Sequence, residues 1–198
     1  MMGYAVFVDG LEDLEVESLT PAIERAALRA VNATADRTRT GSADYIYSRL
    51  NFPKGYLAPA QKRLFVSKKA KQGDLEAIIT GRHRATSLAR FVTGGMAGRK
   101  GARVSIKRGS SVELPNAFLM KLRSGGGVET KDNLGLAIRT KRGATPDKAY
   151  KPVKISETLW LLYGPSVSQA FRYAADKEAD EAAQYLSAEF SRLVGADL

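Results

Sequence analysis

The chain has 198 residues, of which 44% are apolar, so it is long and apolar enough to build the core of one domain. It has no cysteine and one histidine, which excludes disulfides and thiolate metal sites and leaves little for Ser-His or Cys-His catalysis. No run reaches the length of a membrane span, and no basic segment precedes the first apolar stretch as in a secretion signal. The sequence therefore permits folding in a reducing cytoplasm.

The formal charge of +10 is unevenly distributed. Residues 1–20 carry five acids and no base, residues 37–108 carry 17 bases and three acids, and residues 165–198 carry three bases and six acids. The basic middle suits contact with a polyanion, where release of counterions drives binding. It equally suits the acidic ends of a neighbouring copy, or it is simply a solvated surface. Charge alone leaves these three interpretations open.

The N-terminal part predicts one short strand and one helix. Residues 4–8 form a β-branched and aromatic run that ends at a turn signal, Asp9-Gly10. Thr20-Pro21 is typical of a helix start, and we expect the helix to end near Arg39, before Gly41. Small residues recur on one helical face, which allows close approach of a neighbour: Ile23, Ala26, Ala27, Ala30, Val31 and Thr34.

The basic middle gives weaker signals. Tyr45, Ile46 and Leu50 favour a helix that Pro53 interrupts, and Pro59 is a candidate start for another, with Leu64 and Phe65 buried. Residues 75–80 and 88–92 have the composition of strands. Residues 94–101 are rich in glycine and basic residues, which predicts a mobile loop.

The second half alternates strand and turn signals. Residues 102–107 predict a half-buried strand, and residues 117–140 predict a long hairpin with a glycine-rich tip. Residues 153–162 form one more strand or a short helix. Gly164-Pro165-Ser166 then predicts the start of the longest helix. Because helices are predicted at both ends of the chain and strands between them, we expect an α+β fold. In it, an N-terminal helix and a long C-terminal helix pack on a central antiparallel sheet in a single domain of residues 1–198.

No pattern of residues predicts catalysis, a cofactor or a metal. His83 lies between two arginines, which disfavours a role as base or ligand and favours a surface position. The run Gly94–Gly101 lacks the Gly-Lys-Ser/Thr ending of a phosphate-binding loop. The acids Asp176, Glu178, Asp180 and Glu181 spread around a helix, so a solvated face is expected.

Several residues of the second half are candidate structural positions. Pro115 suits an edge strand or the start of a strand, Phe118 is a candidate core anchor, and Gly126 suits the hairpin tip. Pro165 suits the first turn of the last helix, Ser166 its cap, and Phe171 its buried face.

The order Leu114-Pro115-Asn116-Ala117-Phe118, glycine-rich hairpin, Lys151-Pro152-Val153, Gly164-Pro165-Ser166-Val167 and Phe171 resembles the minor tail protein Z family of bacteriophage tail-completion proteins. The small-residue helix, basic stretch and strands of the first half agree with that layout. The specific part of the resemblance covers residues 114–171.

The resemblance implies a non-enzymatic virion protein, made in the host cytoplasm, at the head-proximal end of a long phage tail. The implied partners are further copies in a ring, expected to be a hexamer, and the tail terminator, tail tube, head–tail connector or tape measure proteins. Passing genomic DNA would be touched without sequence readout, and no membrane is involved. The candidate interface or DNA-facing residues are all basic: Lys62, Arg63, Lys68, Lys69, Arg99, Lys100, Arg103, Lys107, Arg108, Arg123 and Arg139.

An alternative from another class is a free, non-sequence-specific nucleic-acid-binding protein. Five aromatic residues interleave with the basic middle and could form a stacking platform for bases, although such spacing is more typical of core residues: Tyr45, Tyr47, Phe52, Tyr56 and Phe65. Tight, strongly salt-dependent DNA binding by the isolated monomer would favour this alternative.

Overall fold

The computed structural model describes residues 4–5, 21–93, 101–122 and 134–197. The contacts of the chain divide into two compact units, where the sequence predicts one domain. The helical unit comprises Met1–Ile46, Tyr56–His83 and Val167–Leu198, and the sheet unit comprises Tyr47–Gly55 and Arg84–Ser166.

Helix α1 spans Pro21–Arg49 and begins at the predicted proline. The predicted stripe is confirmed as its packing face, since Ala26, Ala27, Ala30 and Thr34 are buried. The predicted end near Arg39 is wrong, because α1 continues through Gly41 for two further turns. Gly41 instead permits close contact: a Cβ atom there would lie 2.9 Å from Cδ of Glu178.

Helix α2 spans Val167–Asp197 and confirms the long C-terminal helix. Its residues Leu186 and Leu193 form one apolar cluster with Ala26 and Ala30 of α1, with Phe190 packed at the margin. The alanines of α1 leave room for the leucines of α2, so the two helices pack closely.

Three antiparallel strands complete the helical unit: β1 (Tyr4–Ala5), β2 (Leu64–Lys68) and β3 (Ile78–Gly81), in the order β1-β3-β2. Strand β1 confirms the start of the first predicted strand; the rest of that prediction lies outside the described residues. The helix predicted from Pro59 is wrong. Pro59–Gln61 is a single 3-10 turn, and Lys62 then adopts positive φ, which ends the turn and leads into β2.

The sheet unit contains β4 (Ala85–Ser87), β5 (Ala102–Val104), β6 (Val112–Leu114), β7 (Ala117–Lys121), β8 (Leu134–Arg139), β9 (Val153–Lys154) and β10 (Leu159–Ser166). The main sheet has the order β4-β10-β8-β7, with β9 also paired to β10, and β5 pairs with β6 separately. Pairing is antiparallel throughout.

The predicted hairpin is confirmed in its two strands, which pair from Ala117↔Ile138 to Lys121↔Leu134. Its predicted glycine-rich tip, with Arg123 and Gly126, lies outside the described residues, as does most of the predicted loop 94–101.

The core of the sheet unit is built from large side chains. Leu88, Phe91, Leu136 and Leu162 are at most 1% exposed, and the ring of Phe52 lies 5.2 Å from that of Phe91. The strand predicted at 88–92 is wrong, because Leu88–Phe91 is a 3-10 turn that presents two side chains to this core.

The predicted start of the last helix is also wrong by a few residues. Gly164-Pro165-Ser166 forms the end of β10, not the first turn of α2. Pro165 lies where the β10–β4 register shifts, between the pairs Tyr163↔Ser87 and Ser166↔Ala85. Proline is tolerated at such a bulge because the ladder is interrupted there. The predicted α+β class is confirmed, with the terminal helices packed against antiparallel strands.

Candidate functional site

The predicted basic residues are divided between the two units. Lys62, Arg63, Lys68 and Lys69 belong to the helical unit. In the sheet unit lie Arg103, Lys107, Arg108 and Arg139, all of them exposed. The other three candidates, Arg99, Lys100 and Arg123, lie outside the described residues.

Two of the lysines in the helical unit are neutralised by nearby acids. Nζ of Lys68 lies 2.8 Å from Oδ2 of Asp74 and also contacts the Glu76 carboxylate. Hydrogen bonding to these two acids raises the pKa of Lys68, and the same bond lowers the pKa of Asp74. Lys69 lies 2.9 Å from Asp36. Both lysines therefore offer less charge to an external partner than the sequence suggests.

The basic residues of the sheet unit also have local roles. Arg103 reaches Glu113 across the β5–β6 pair at 2.6 Å. Arg108 donates from Nε to the Tyr47 carbonyl at 2.6 Å. The guanidinium of Arg139 lies 5.8 Å from the ring centroid of Phe118, a cation–π contact.

The helical unit brings a second arginine to Arg63, one that sequence reasoning missed. Arg82 follows β3, and its backbone N–H donates to the Arg63 carbonyl at 2.8 Å, directly across the β2–β3 pair. Both side chains reach Tyr56, with guanidinium carbons 4.1 Å (Arg63) and 5.7 Å (Arg82) from its ring centroid. We call Tyr56, Arg63 and Arg82 the arginine cluster. The signal that could have found it is the antiparallel register, which places the last residue before β2 opposite the first after β3.

The arginine cluster is tied to the core beneath it. Tyr56 is 3% exposed, and its hydroxyl oxygen accepts a hydrogen bond from the Arg82 guanidinium at 2.5 Å. Arg63 donates to the Tyr56 carbonyl at 3.2 Å. Arg39, buried in α1, donates to the carbonyls of Leu57 and Leu64, which flank the cluster. These hydrogen bonds hold the backbone next to Arg63 and Tyr56 in place.

The proposed aromatic platform does not assemble as a solvent-facing surface. Phe52 and Tyr56 are buried, at 5% and 3% exposed, so their faces are unavailable for stacking with bases. Tyr45, Tyr47 and Phe65 are half-buried. Phe52 and Tyr56 are therefore core residues, which is the role that this spacing more typically indicates.

The structural candidates are placed as follows. Pro115 and Asn116 form an exposed turn between β6 and β7, with Asn116 at φ 65°, and Pro115 thus precedes a strand as predicted. The prediction that Phe118 is a core anchor is wrong: it is half-buried, and Ala117 is the buried residue of that strand end. Ser166 ends β10 directly before α2, and its capping role stays a prediction. Phe171 of α2 is 1% exposed, as predicted for a residue of the buried face.

His83 is exposed, as expected. Among the described residues, no group of three or more metal-ligating side chains is placed to hold a metal ion, and no helix is both long and apolar enough to cross a bilayer.

The acidic stretch of α2 is solvated at Asp176, Asp180 and Glu181, but Glu178 is half-buried. Burial, followed by the charges of Glu181 and Asp44, raises the pKa of Glu178, and Arg37 opposes the shift.

Described residues of the sheet unit line open depressions. One, of about 270 Å³, is lined by Arg84, Ala85, Lys151, Val153 and Tyr163. The other, of about 310 Å³, is lined by Val104, Ile106, Lys107, Ser110, Val112 and Tyr150. Their linings combine apolar and basic side chains, with no carboxylate or imidazole to act as a general base beside a nucleophile.

Comparison of the chain with protein-family models, curated proteins and solved structures gives no match.

Proposed function

We propose that the protein is a structural component of a long-tailed bacteriophage, acting in tail completion at the head-proximal end of the tail. In this proposal it catalyses no reaction and works through association of copies into a ring. The tail terminator, tube, connector or tape measure proteins are its further partners. The support from the sequence is the motif order of residues 114–171; the support from the structure is the open edge of β7.

Strand β7 ends the main sheet. Within the described residues it pairs with β8 alone, so no described strand covers its other edge. Phe118, Leu119 and Met120 along it are half-buried and apolar, and only Lys121 supplies the charge that discourages pairing. An apolar edge strand of this kind is a template for a strand from another chain.

Apolar side chains also remain exposed elsewhere in the sheet unit. Val112, Val153 and Ile155 are 47%, 48% and 52% exposed. Two of them line the open depressions described above. Exposed apolar side chains that lie together mark protein–protein contact, so these three residues are candidates for a contact between copies.

The edge is tested with a pair of proline variants, Leu119→Pro and Met120→Pro. Neighbouring residues of a strand direct their N–H groups to opposite sides, so one variant removes a donor from the β8 ladder and the other from the open edge. We expect one variant to lower the melting temperature strongly. The other should keep it nearly unchanged yet lose oligomers in sedimentation velocity.

Two outcomes would contradict the edge as the contact: oligomers that persist in the stable proline variant, or a wild-type chain that stays monomeric at high concentration. The role in the tail is tested separately by deleting the gene from the phage that carries it. We expect complete tails and filled heads that fail to join, with rescue by the wild-type chain in trans. Normal infectious particles without the protein would reject the proposal.

A further inference from the structure

The β9–β10 pair of the sheet unit carries apolar side chains from the core out to an exposed turn. Leu161 is buried, at 6% exposed, and Val153 directly opposite it in β9 is 48% exposed. Residues opposite each other in a pair share one face, and Ile155, two residues after Val153, continues that face. Ile155 is 52% exposed. The apolar face of this pair therefore extends past the core of the sheet unit and into solvent.

The turn that carries Ile155 comprises residues 155–158 and is held by backbone hydrogen bonds at both ends. The Ile155 N–H donates to the Leu159 carbonyl at 2.9 Å, and the Thr140 N–H donates to the Thr158 carbonyl at 2.9 Å. Fixing a group before it binds lowers the entropy lost on binding. Ile155 is thus an exposed aliphatic side chain on a preorganised turn.

The same turn carries one charged residue, Glu157. Glu157 pairs with Arg142, but the two side chains are 64% and 81% exposed, so solvent screens the attraction and the carboxylate can also face a second base. Lys154 lies on the opposite face of β9, where its Nζ is 5.8 Å from the ring centroid of Trp160. The face that presents Ile155 therefore combines an aliphatic side chain with a neighbouring acid.

A depression elsewhere in the sheet unit has the matching chemistry. It encloses about 310 Å³, and Val104, Ile106 and Val112 give it aliphatic walls. Val112 is 47% exposed, so part of this apolar lining is open to solvent. Among the described residues that line it, Lys107 alone is charged, and it is exposed. We call it the Val112 depression.

We propose that copies of the chain associate by inserting Ile155 of one copy into the Val112 depression of the next, with Glu157 placed against Lys107. The contact deepens the proposed function, on which it rests, by naming two surfaces through which copies associate. Removal of aliphatic surface from water drives it, and the opposite charges orient it. The two surfaces differ, and a contact between unlike surfaces closes into a ring or continues as a filament.

The test uses cysteine cross-linking, since the natural chain contains no cysteine. Purified Ile155→Cys and Val112→Cys chains are mixed under a mild oxidant and separated on a non-reducing gel. Cysteine keeps much of the apolar character of both positions. We expect a disulfide-linked pair to form at least roughly tenfold faster in this mixture than with either variant alone, because the bond needs Cβ atoms about 4 Å apart.

The matched control for the cross-linking is Tyr173→Cys mixed with Val112→Cys. Tyr173 is 71% exposed, more than Ile155, and lies in the helical unit. A cysteine there is at least as accessible to the oxidant, so we expect only the slow linkage that random collision gives.

Sedimentation velocity measures the same contact without a covalent bond, in the variants Ile155→Asp and Val112→Asp. Both positions are half exposed, so we expect nearly unchanged melting temperatures. Each variant alone should raise the dissociation constant between copies roughly tenfold or more, as expected for loss of a buried aliphatic side chain. An equimolar mixture should recover pairs, because one chain keeps Ile155 intact and the other keeps the depression intact.

Linkage of either cysteine variant to itself as fast as in the mixture would overturn the inference, because it indicates a contact between like surfaces. Equal linkage of the Tyr173 control, or full association of both aspartate variants, would also overturn it. These results leave the proposed function standing, since the β7 edge is tested by its own proline variants. A wild-type chain that stays monomeric would overturn this inference and the β7 contact together, and deletion of the gene would still decide the role in the tail.

Discussion

The cores of the two units are packed with different kinds of side chain. In the helical unit, alanines of α1 face leucines of α2, and the density comes from close approach of two backbones. In the sheet unit, Leu88, Phe91, Leu136 and Leu162 fill the interior with large side chains. Proteins reach similar packing density by either route. The helical unit should therefore tolerate larger side chains least, and the sheet unit should tolerate truncated side chains least.

Truncation of Leu136 in the sheet unit should have the largest effect. Leu136 is fully buried, and Leu136→Ala should lower the free energy of unfolding by about 3–4 kcal/mol, since a cavity adds to the lost transfer free energy. Chemical denaturation measures it. Leu119→Ala, on the half-buried neighbouring strand, is the control and should cost about half as much. Equal costs at the two positions would refute the picture of a core held by large side chains.

Enlargement of Gly81 should have the next largest effect, in the helical unit. The Cβ of Gly81→Ala would meet backbone atoms of Ser168 at 2.9 and 3.0 Å, and backbone yields poorly. We expect a loss of about 2 kcal/mol in unfolding free energy.

Gly135→Ala in the sheet unit is the matched control for Gly81→Ala. There the added methyl meets the ends of Leu161 and Leu122 at 2.8 and 3.0 Å, and these flexible side chains can move aside. We expect a loss of about 1 kcal/mol or less. A larger loss of unfolding free energy for Gly135→Ala than for Gly81→Ala would contradict the view that the helical unit tolerates enlargement less than the sheet unit.

Another glycine, Gly41, shows which features of the fold a local sequence pattern predicts and which it does not. Periodicity located both long helices and the strands of the hairpin, because burial of one face is written in local spacing. Gly41 predicts a helix end, because glycine often ends helices. Its actual role is to admit Glu178 from a helix more than a hundred residues away, and no local pattern encodes that contact.

The candidate site was predicted in part for a similar reason. Net charge identified Arg63 as a surface base, but Arg82 joins it only through the β2–β3 register. Lys68 was chosen for its charge, and its pairing with Asp74 and Glu76 depends on the turn between the strands. A phenylalanine at position 118 predicts a core residue because its side chain is large and apolar. Phe118 lies on an edge strand, however, and is half-buried beside Arg139.

Glu178 should make the α1–α2 contact of the helical unit sensitive to pH, with a smaller effect. Burial and the neighbouring acids raise the pKa of Glu178 in the folded chain, so the folded state holds its proton more tightly than the unfolded state does. Stability from this group is therefore greatest at low pH and is lost as pH rises through the ordinary Glu value, about 4.3, towards the raised one.

Glu178→Gln should therefore melt at a higher temperature than the wild type at neutral pH, with the difference vanishing near pH 4. Thermal unfolding followed by circular dichroism across this range measures it. Asp180→Asn, exposed on the same helix, is the control and should show no such pH-dependent gain. A constant difference at all pH values would point to packing, not ionisation.

The smallest effect is expected from Arg103 in the sheet unit. It pairs with Glu113 at 2.6 Å, but the two side chains are 58% and 74% exposed, so solvent screens the attraction. Arg103→Gln should change the unfolding free energy by less than about 0.5 kcal/mol, because exposed ion pairs contribute little. If the variant also leaves the oligomer unchanged in sedimentation, Arg103 has no part in the contact between copies. A clear loss of oligomer at unchanged stability would instead assign it to that interface. It would also show that the sheet unit uses charge as well as its open apolar edge.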